Sequence, residues 1–440
     1  MKQTSLRSPS REELVRLKDR VRIEQAHRKR RLLALFWLTL GPGVLVMLGE
    51  NDAPSMLSYA ATGAKYGLGF FLPFVLLTFA MAFVVQEITV RLGAVTKTGH
   101  AELIYRRFGR FWGHFSMVDL LITNFLTLVT EFLGVAAGAS FFGIKPVYAV
   151  VLAAIIVLLT YQFRRYWSWE RALLALAAIN LVFIPVGIMV HPLWGQVATS
   201  FLTFSPLPKH VGSTFIVILL SDIGATVTPW MLFFQQAAVS DKGLLIKDIT
   251  WGRLDTAVGA VLAAASGIFT IIATSVLFDH HITATNYNAA QFAQALVPYA
   301  GKVAGVLFAL GIMEAGTLAA IAIATSTAYS FGEVTNTPHS LNASFSEAKM
   351  FYGILFSVVV LAATLVLIPG IPLIYIILSV NVLAVLTMPP ALVFLLLLAN
   401  DKDITGKYRN STLLNVLGIT VTIVIILAGL LFAVSSIINI

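Results

Sequence analysis

Apolar runs long enough to cross a bilayer follow one another along almost the whole chain, and this restricts it to a bundle of membrane-spanning helices. Eleven runs can be read, at about 32–64, 68–95, 112–142, 146–163, 171–191, 213–239, 255–278, 302–333, 350–369, 371–399 and 412–438. Each lies near or above the roughly 20 apolar residues that a helix needs to span hydrocarbon. The 440 residues are 58% hydrophobic and only 12% charged, about half the charged share of a soluble domain. The expectation is one polytopic all-α domain over residues 32–440, preceded by a basic segment over residues 1–31.

A formal charge of +9 suggests nucleic acid until its distribution is considered. Residues 1–31 hold 11 Lys and Arg against Glu12, Glu13, Asp19 and Glu24. Further basic residues fall in alternate loops: Lys97, Arg106, Arg107 and Arg110, then Arg164 and Arg165, then Lys242, Lys247 and Arg253, then Lys402, Lys407 and Arg409. The intervening loops carry only single lysines, Lys65, Lys145, Lys209 and Lys302. That asymmetry predicts a cytoplasmic N-terminus and, after eleven spans, a C-terminus outside. The short loops suit a bacterial inner (plasma) membrane. Between Arg11 and Arg31, Leu14, Leu17 and Val21 share one face of a basic helix, which either lies on anionic headgroups or forms a solvated tail. The solvated tail is the expectation. No Ala-x-Ala cleavage site follows Arg31, which argues against a signal peptide. With no cysteine, disulfides, thiolate metal sites and cysteine nucleophiles are excluded.

Two of the apolar runs are interrupted by proline at corresponding places. The first interruption reads Gly49-Glu50-Asn51-Asp52-Ala53-Pro54-Ser55-Met56, the second Gly224-Ala225-Thr226-Val227-Thr228-Pro229-Trp230-Met231. If spans 1–5 and 6–10 are repeats, both breaks fall in the first helix of a repeat. An odd number of spans per repeat inverts the second relative to the first, with span 11 as an appendage. Pro54 and Pro229 suit the first turn of a restarted half-helix, and the residues before them would be unwound with free carbonyls. Half-helix C-termini add negative partial charge. A carboxylate at such depth costs about 3 kcal/mol on insertion scales and is normally kept for an ion or substrate. Asp52 at the first break therefore marks an oxygen-rich cation site.

Other polar residues within spans carry weaker signals. Glu50 fits either a vestibule role or helix-end capping. Glu87 lies four residues before Arg91, the spacing of an intrahelical ion pair. Glu131 and Glu314 lack an evident partner, Asp119 sits near a span end, and Asp222 could line an aqueous path. Asn180 and Asn381 are of the type that holds membrane helices together. Asp279, His280 and His281 are expected in a solvated loop.

At these residues the chain resembles the Nramp family of divalent-metal transporters, whose fold is LeuT-like. The resemblance rests on Gly41-Pro42-Gly43 at the opening of span 1, Gln86, Arg91-Leu92-Gly93, Thr98-Gly99, Glu131-Phe132-Leu133-Gly134 and Gly224-Ala225-Thr226-Val227. It implies a LeuT-like fold of 5+5 helices plus one, with helices 1 and 6 broken. The family's Asp-Pro-Gly-Asn corresponds to Asp52, Ala53, Pro54 and Ser55, and its Met-Pro-His-Asn to Thr228, Pro229, Trp230 and Met231. The resemblance implies a metal site of Asp52, Ser55, the Ala225 carbonyl, Thr228 and Asn381, with Glu50, Glu131 and Asp222 as candidates for the ion pathway.

The departures are chemically consistent. Thr228 replaces a soft thioether by a hydroxyl, which suits Mg²⁺, Ca²⁺ or Mn²⁺. Ser55 is shorter than the family's Asn and leaves room for an ion that keeps water, as Mg²⁺ does. Leu128, Trp230 and Gln235 stand where the family's proton-linked acid and histidines lie. The pattern resembles the Nramp-related magnesium transporters. The expectation is uptake of Mg²⁺, and of Mn²⁺, by alternating access without proton coupling. The alternatives are proton-coupled Mn²⁺ or Fe²⁺ transport and, on the same fold, amino-acid transport, which Asp52 disfavours by repelling a substrate carboxylate. An enzyme is not expected, since His-Glu-x-x-His and Gly-x-Ser-x-Gly are absent. No cofactor, nucleic acid or obligate protein partner is implied; the partners are a divalent cation, as substrate, and the bilayer.

Overall fold

The computed structural model describes residues 11–163, 165–208, 212–284, 286–368 and 373–438. Arg164, Lys209 and the join between the ninth and tenth apolar runs lie outside them. All regular structure in the described residues is helical. In chain order the helices are α1 (Arg11–Arg28), α2 (Leu32–Thr39), α3 (Pro42–Gly49), α4 (Ala53–Tyr66), α5 (Phe71–Thr96), α6 (His100–Phe108), α7 (Arg110–Ser140), α8 (Pro146–Thr160), α9 (Tyr166–Ala177) and α10 (Phe183–Met189). There follow α11 (Trp194–Thr203), α12 (Ser213–Gly224), α13 (Pro229–Lys242), α14 (Ile249–Asp279), α15 (Ala289–Thr335), α16 (Lys349–Val366), α17 (Leu373–Asn400), α18 (Lys402–Thr405) and α19 (Thr412–Ile438). Among the described residues ten spans are long and apolar enough to cross a membrane, and α2 with α3, bent by 49°, makes an eleventh if the pair is one span.

Most expected spans stand within a few residues of their sequence bounds. The fifth starts earlier, at Tyr166, and runs through a 3₁₀ stretch at Ala178–Val182 into α10. In the eighth, Gly301 at φ 81° kinks α15 and restores the expected start near residue 302.

The first run departs most. It is divided twice, not once, so Gly41-Pro42-Gly43 opens α3 in mid-run instead of opening the span. The physical cause is a pair of buried charges on the two helix ends that meet there. Lys242 Nζ donates to Thr39 O (3.0 Å) and Leu40 O (2.7 Å), closing α2, and to Glu170 Oε2 (2.7 Å). Asp255 accepts from the N–H groups of Gly41 (2.9 Å), Gly43 (2.6 Å) and Val44 (3.2 Å), opening α3. A cation at a helix C-terminus and an anion at an N-terminus both interact favourably with the macrodipole and satisfy its unpaired backbone groups. Gly41 has φ 155°, and a Cβ there would stand 2.0 Å from Glu170 Oε1, so the turn requires glycine.

The basic N-terminal segment is not a solvated tail over its described length. Arg16 pairs with Asp241 (2.9 Å), Arg20 and His27 with Asp248, Asp19 with Arg165, and Glu24 with Lys247. The expected Glu87–Arg91 pair forms at 3.0 Å, and Glu87 also accepts from Arg253 Nε (2.6 Å). His280 and His281 are exposed as expected.

Candidate cation site at the helix breaks

The site is built where α3 gives way to α4 and α12 to α13. Glu50, Asn51 and Asp52 separate the first pair, and Pro54 lies in the first turn of α4. Asp52 is the N-cap of α4: it has extended φ/ψ and its Oδ1 accepts from Ser55 N at 2.8 Å. A second carboxylate reaches the same helix end from α7, with Glu131 Oε2 accepting from Ala53 N at 3.0 Å. Both carboxyl groups thus sit on the N-terminus of α4.

At the second break Thr228 occupies the N-cap position of α13 and Pro229 follows in the first turn. The Thr228 hydroxyl does not cap its own helix. It crosses to the first break and donates to Glu50 Oε1 at 2.5 Å. This bond joins the two breaks through Glu50.

Asp52, Glu50, Ser55, Thr228 and Glu131 therefore meet around the breaks, all of them buried. Several of their atoms are enclosed without a hydrogen-bond partner: Glu50 Oε2, Asp52 Oδ2, Ser55 Oγ and Glu131 Oε1. Ala225 is buried in the unwound stretch after α12.

Asp222 and Asn381 form a neighbouring cluster. Asp222 accepts from Ser58 Oγ (2.7 Å) and Thr62 Oγ1 (2.8 Å), one and two turns along α4 from the break. Ser58 also donates to Ser221 Oγ (2.8 Å), which accepts from Asn381 Nδ2 (3.3 Å). Behind Asp52, Asn51 Nδ2 donates to Asn180 Oδ1 (3.0 Å) and Ala263 O (2.9 Å), and Asn180 Nδ2 reaches Glu314 Oε2 (3.3 Å). That gives Glu314 a partner, and Asn180 holds helices together as expected, tying the first break to α15.

The sequence reading missed Asn51, Ser58, Thr62 and Ser221. Hydroxyl residues in spans commonly bond to the carbonyl one turn back on their own helix, so Ser and Thr carry no pattern that separates a site from a helix. Among the described residues no three His, Asp or Glu side chains converge as a ready-made metal cluster. The site offers carboxylates mixed with hydroxyl and carbonyl oxygen, and such donors suit hard cations.

Gln235 links Thr89 and Thr256: its Oε1 accepts from Thr89 Oγ1 (2.9 Å) and its Nε2 donates to Thr256 Oγ1 (2.8 Å). Leu128 is buried, and Trp230 packs its ring edge near Gly49.

Residues 43–435 match the family model described as natural resistance-associated macrophage protein-like, Nramp. The divalent metal cation transporter MntH of Brucella suis is 29% identical over 311 residues, 67% of this chain and 66% of that protein. MntH of Levilactobacillus brevis is 26% identical over 64% of this chain and 65% of that protein, so the chain matches just under two thirds of either relative's length. MntH of Burkholderia ambifaria is 24% identical over 88% of this chain and 86% of that protein. Among solved structures, a manganese transporter of Eremococcus coleocola superposes with a TM-score of 0.71 at 20% identity, covering 92% of this chain and 87% of that one. MhsT, solved with L-phenylalanine, superposes at 0.62 and 13% identity over 90% of this chain and 98% of its own. The fold is thus the expected LeuT-like one, and the chain belongs to the Nramp family.

Proposed function

We propose that this protein carries a divalent cation across the membrane by alternating access, with the two helix breaks as its binding site. The observation that carries the reading is the set of enclosed, partnerless oxygens of Glu50, Asp52, Ser55 and Glu131. Buried polar atoms left unpaired cost roughly 1–3 kcal/mol each, more where they are charged, and a cation removes that cost.

The relatives named as divalent metal and manganese transporters support Mn²⁺ as one cargo. We infer that Mg²⁺ is admitted as well. The thioether position is Thr228, and the donors gathered here are oxygens, which both Mg²⁺ and Mn²⁺ accept. Uncoupled entry is the accompanying reading. Leu128 and Trp230 have no group that titrates near neutral pH, and Gln235 sits in a neutral chain between two threonines. A membrane potential of −100 mV drives a divalent cation inward by about 4.6 kcal/mol without a coupling ion. One observation favours proton coupling as a second reading: Asp52 and Glu131, two buried acids, sit on the same helix N-terminus.

The test is uptake into liposomes holding the purified protein, read with entrapped indicators for Mg²⁺, Mn²⁺ and pH. Saturable entry of both metals without lumenal acidification is expected. Asp52→Asn, which keeps the cap shape, and Asp52→Ala should each abolish it in folded protein. Mn²⁺ entry without Mg²⁺ entry would return the site to ordinary Nramp selectivity, and acidification with metal would establish coupling. Undiminished flux in both Asp52 variants would remove the site.

A further inference from the structure

Helix α1 is two-sided in a way that its ion pairs explain only on one side. Toward the protein it buries Asp19, Ile23 and Ala26, and its Arg16 and Arg20 reach Asp241 and Asp248. Those aspartates stand at the end of α13 and just before α14, and Arg165 stands just before α9. Helix α1 is therefore held at the level where spans leave the bilayer.

Its outer face is apolar and basic. Leu14, Leu17 and Val21 are 45%, 59% and 52% exposed. Lys18, Arg22, Arg28 and Lys29 are exposed beside them. At 100° per residue these positions share one face, the leucines and valine along one edge and Lys18, Arg22 and Lys29 along the other. The carboxylates Asp19 and Glu24 are turned away into ion pairs with Arg165 and Lys247. Helix α1 packs on α2, which exposes Leu32, Leu33 and Trp37 and so continues the apolar surface into the bilayer.

We propose that the outer face of α1 seats anionic lipid headgroups. Leu14, Leu17 and Val21 enter the boundary between headgroup and acyl chain, and the basic edge neutralises lipid phosphates. Both features are those of helices that lie in the membrane interface. Charge complementarity selects this occupant over a second copy of the chain, whose own α1 face would bring like charge against like. The ion pairs on the inner face mean that lipid on α1 and the ends of α13 and α14 are mechanically connected. The proposal rests on the chain spanning a membrane and is independent of which cation it carries.

The absence of cysteine permits a direct test on the full chain. Leu17→Cys is labelled with an environment-sensitive fluorophore and reconstituted in phosphatidylcholine vesicles, with or without about 30% phosphatidylglycerol. In the anionic vesicles the emission should shift to the blue, quenching by aqueous iodide should fall roughly threefold, and brominated acyl chains should quench. High salt, or Lys18→Gln, Arg22→Gln, Arg28→Gln and Lys29→Gln together, should erase the difference between the two vesicles. A label equally open to iodide in both vesicles would mean a solvated face and overturn the proposal. Shielding that ignores phosphatidylglycerol would overturn it too, because the cover would then be neutral lipid or another copy of the protein.

Discussion

Replacing Lys242 by Met takes away an ammonium shared by three acceptors, Glu170 Oε2 and Leu40 O at 2.7 Å each and Thr39 O at 3.0 Å. The Lys242 and Glu170 side chains are each 1% exposed. Methionine keeps the apolar stem, so packing changes little, but the Glu170 carboxylate is stranded and the end of α2 loses its donor. Removing one partner of a buried pair costs about 3–5 kcal/mol, whereas removing both charges is often close to neutral. Each carbonyl left without its donor adds about 1 kcal/mol. Lys242→Met should therefore destabilise by about 5 kcal/mol, and Lys242→Met with Glu170→Gln by about 2 kcal/mol, a net recovery of roughly 3 kcal/mol on adding the second change. The measurement is equilibrium unfolding in mixed micelles, followed by tryptophan fluorescence, for both single variants and the double. If the double variant is no more stable than Lys242→Met alone, the loss comes from packing or from the α2 carbonyls, and the ion pair does not hold the bend at Gly41.

Three further outcomes are expected. His100, fully buried at the start of α6 against Phe233, has its pKa lowered by burial to about 4. Its neutral form is favoured by folding, so its contribution is full above about pH 6.5 and is lost as the pH falls towards 4, about 3 kcal/mol in all; His100→Gln should flatten that part of the stability–pH curve, and an unchanged curve would refute the assignment. At Gly224 an added Cβ would stand 1.9 Å from Asn381 O, a backbone atom that cannot rotate away, so Gly224→Ala should push α12 from α17 and cost about 1–3 kcal/mol, with loss of uptake; wild-type uptake would show that the close approach is not needed. Thr228→Met restores a soft donor and should lower Mg²⁺ entry relative to Mn²⁺ about tenfold, or ~1.4 kcal/mol; an unchanged ratio in the flux assay would mean that this side chain does not set selectivity.

The sequence made legible whatever depends on spacing and on the two strongest punctuation residues. Apolar run length located the spans, and Pro54 and Pro229 located both restarts, because in the first turn of a helix a missing N–H leaves no helical bond unmade. Asp52 stood out because an acid in an apolar run has few other uses. The second bend of the first run was not legible, although Gly41 and Pro42 were noticed. What ends α2 there is Lys242, and what begins α3 is Asp255, about two hundred residues away in the chain, and no local pattern announces them. The same holds for the cross-links of the site. The resemblance makes Thr228 a ligand, while its partner Glu50 is known only once the two breaks are side by side.

The carboxylates around the breaks share a division of labour that bears on how the site is kept in shape. Glu50 commits Oε1 to Thr228, Asp52 commits Oδ1 to Ser55 N, Glu131 commits Oε2 to Ala53 N, and Glu314 commits Oε2 to Asn180. In each the other oxygen is enclosed without a partner. One oxygen therefore fixes the orientation of the group and the second is left without a partner, which is the preorganisation that the proposed cation site would need. The charge balance points the same way. The N-terminus of α4 is positive and would repel a cation, but Asp52 and Glu131 both lie on it and reverse its sign. The ends of α3 and α12 are negative C-termini. Two broken spans side by side thus bring two negative helix ends together with the positive ends of α4 and α13, and the one at α4 carries Asp52 and Glu131, an arrangement that the proposed cation site would use.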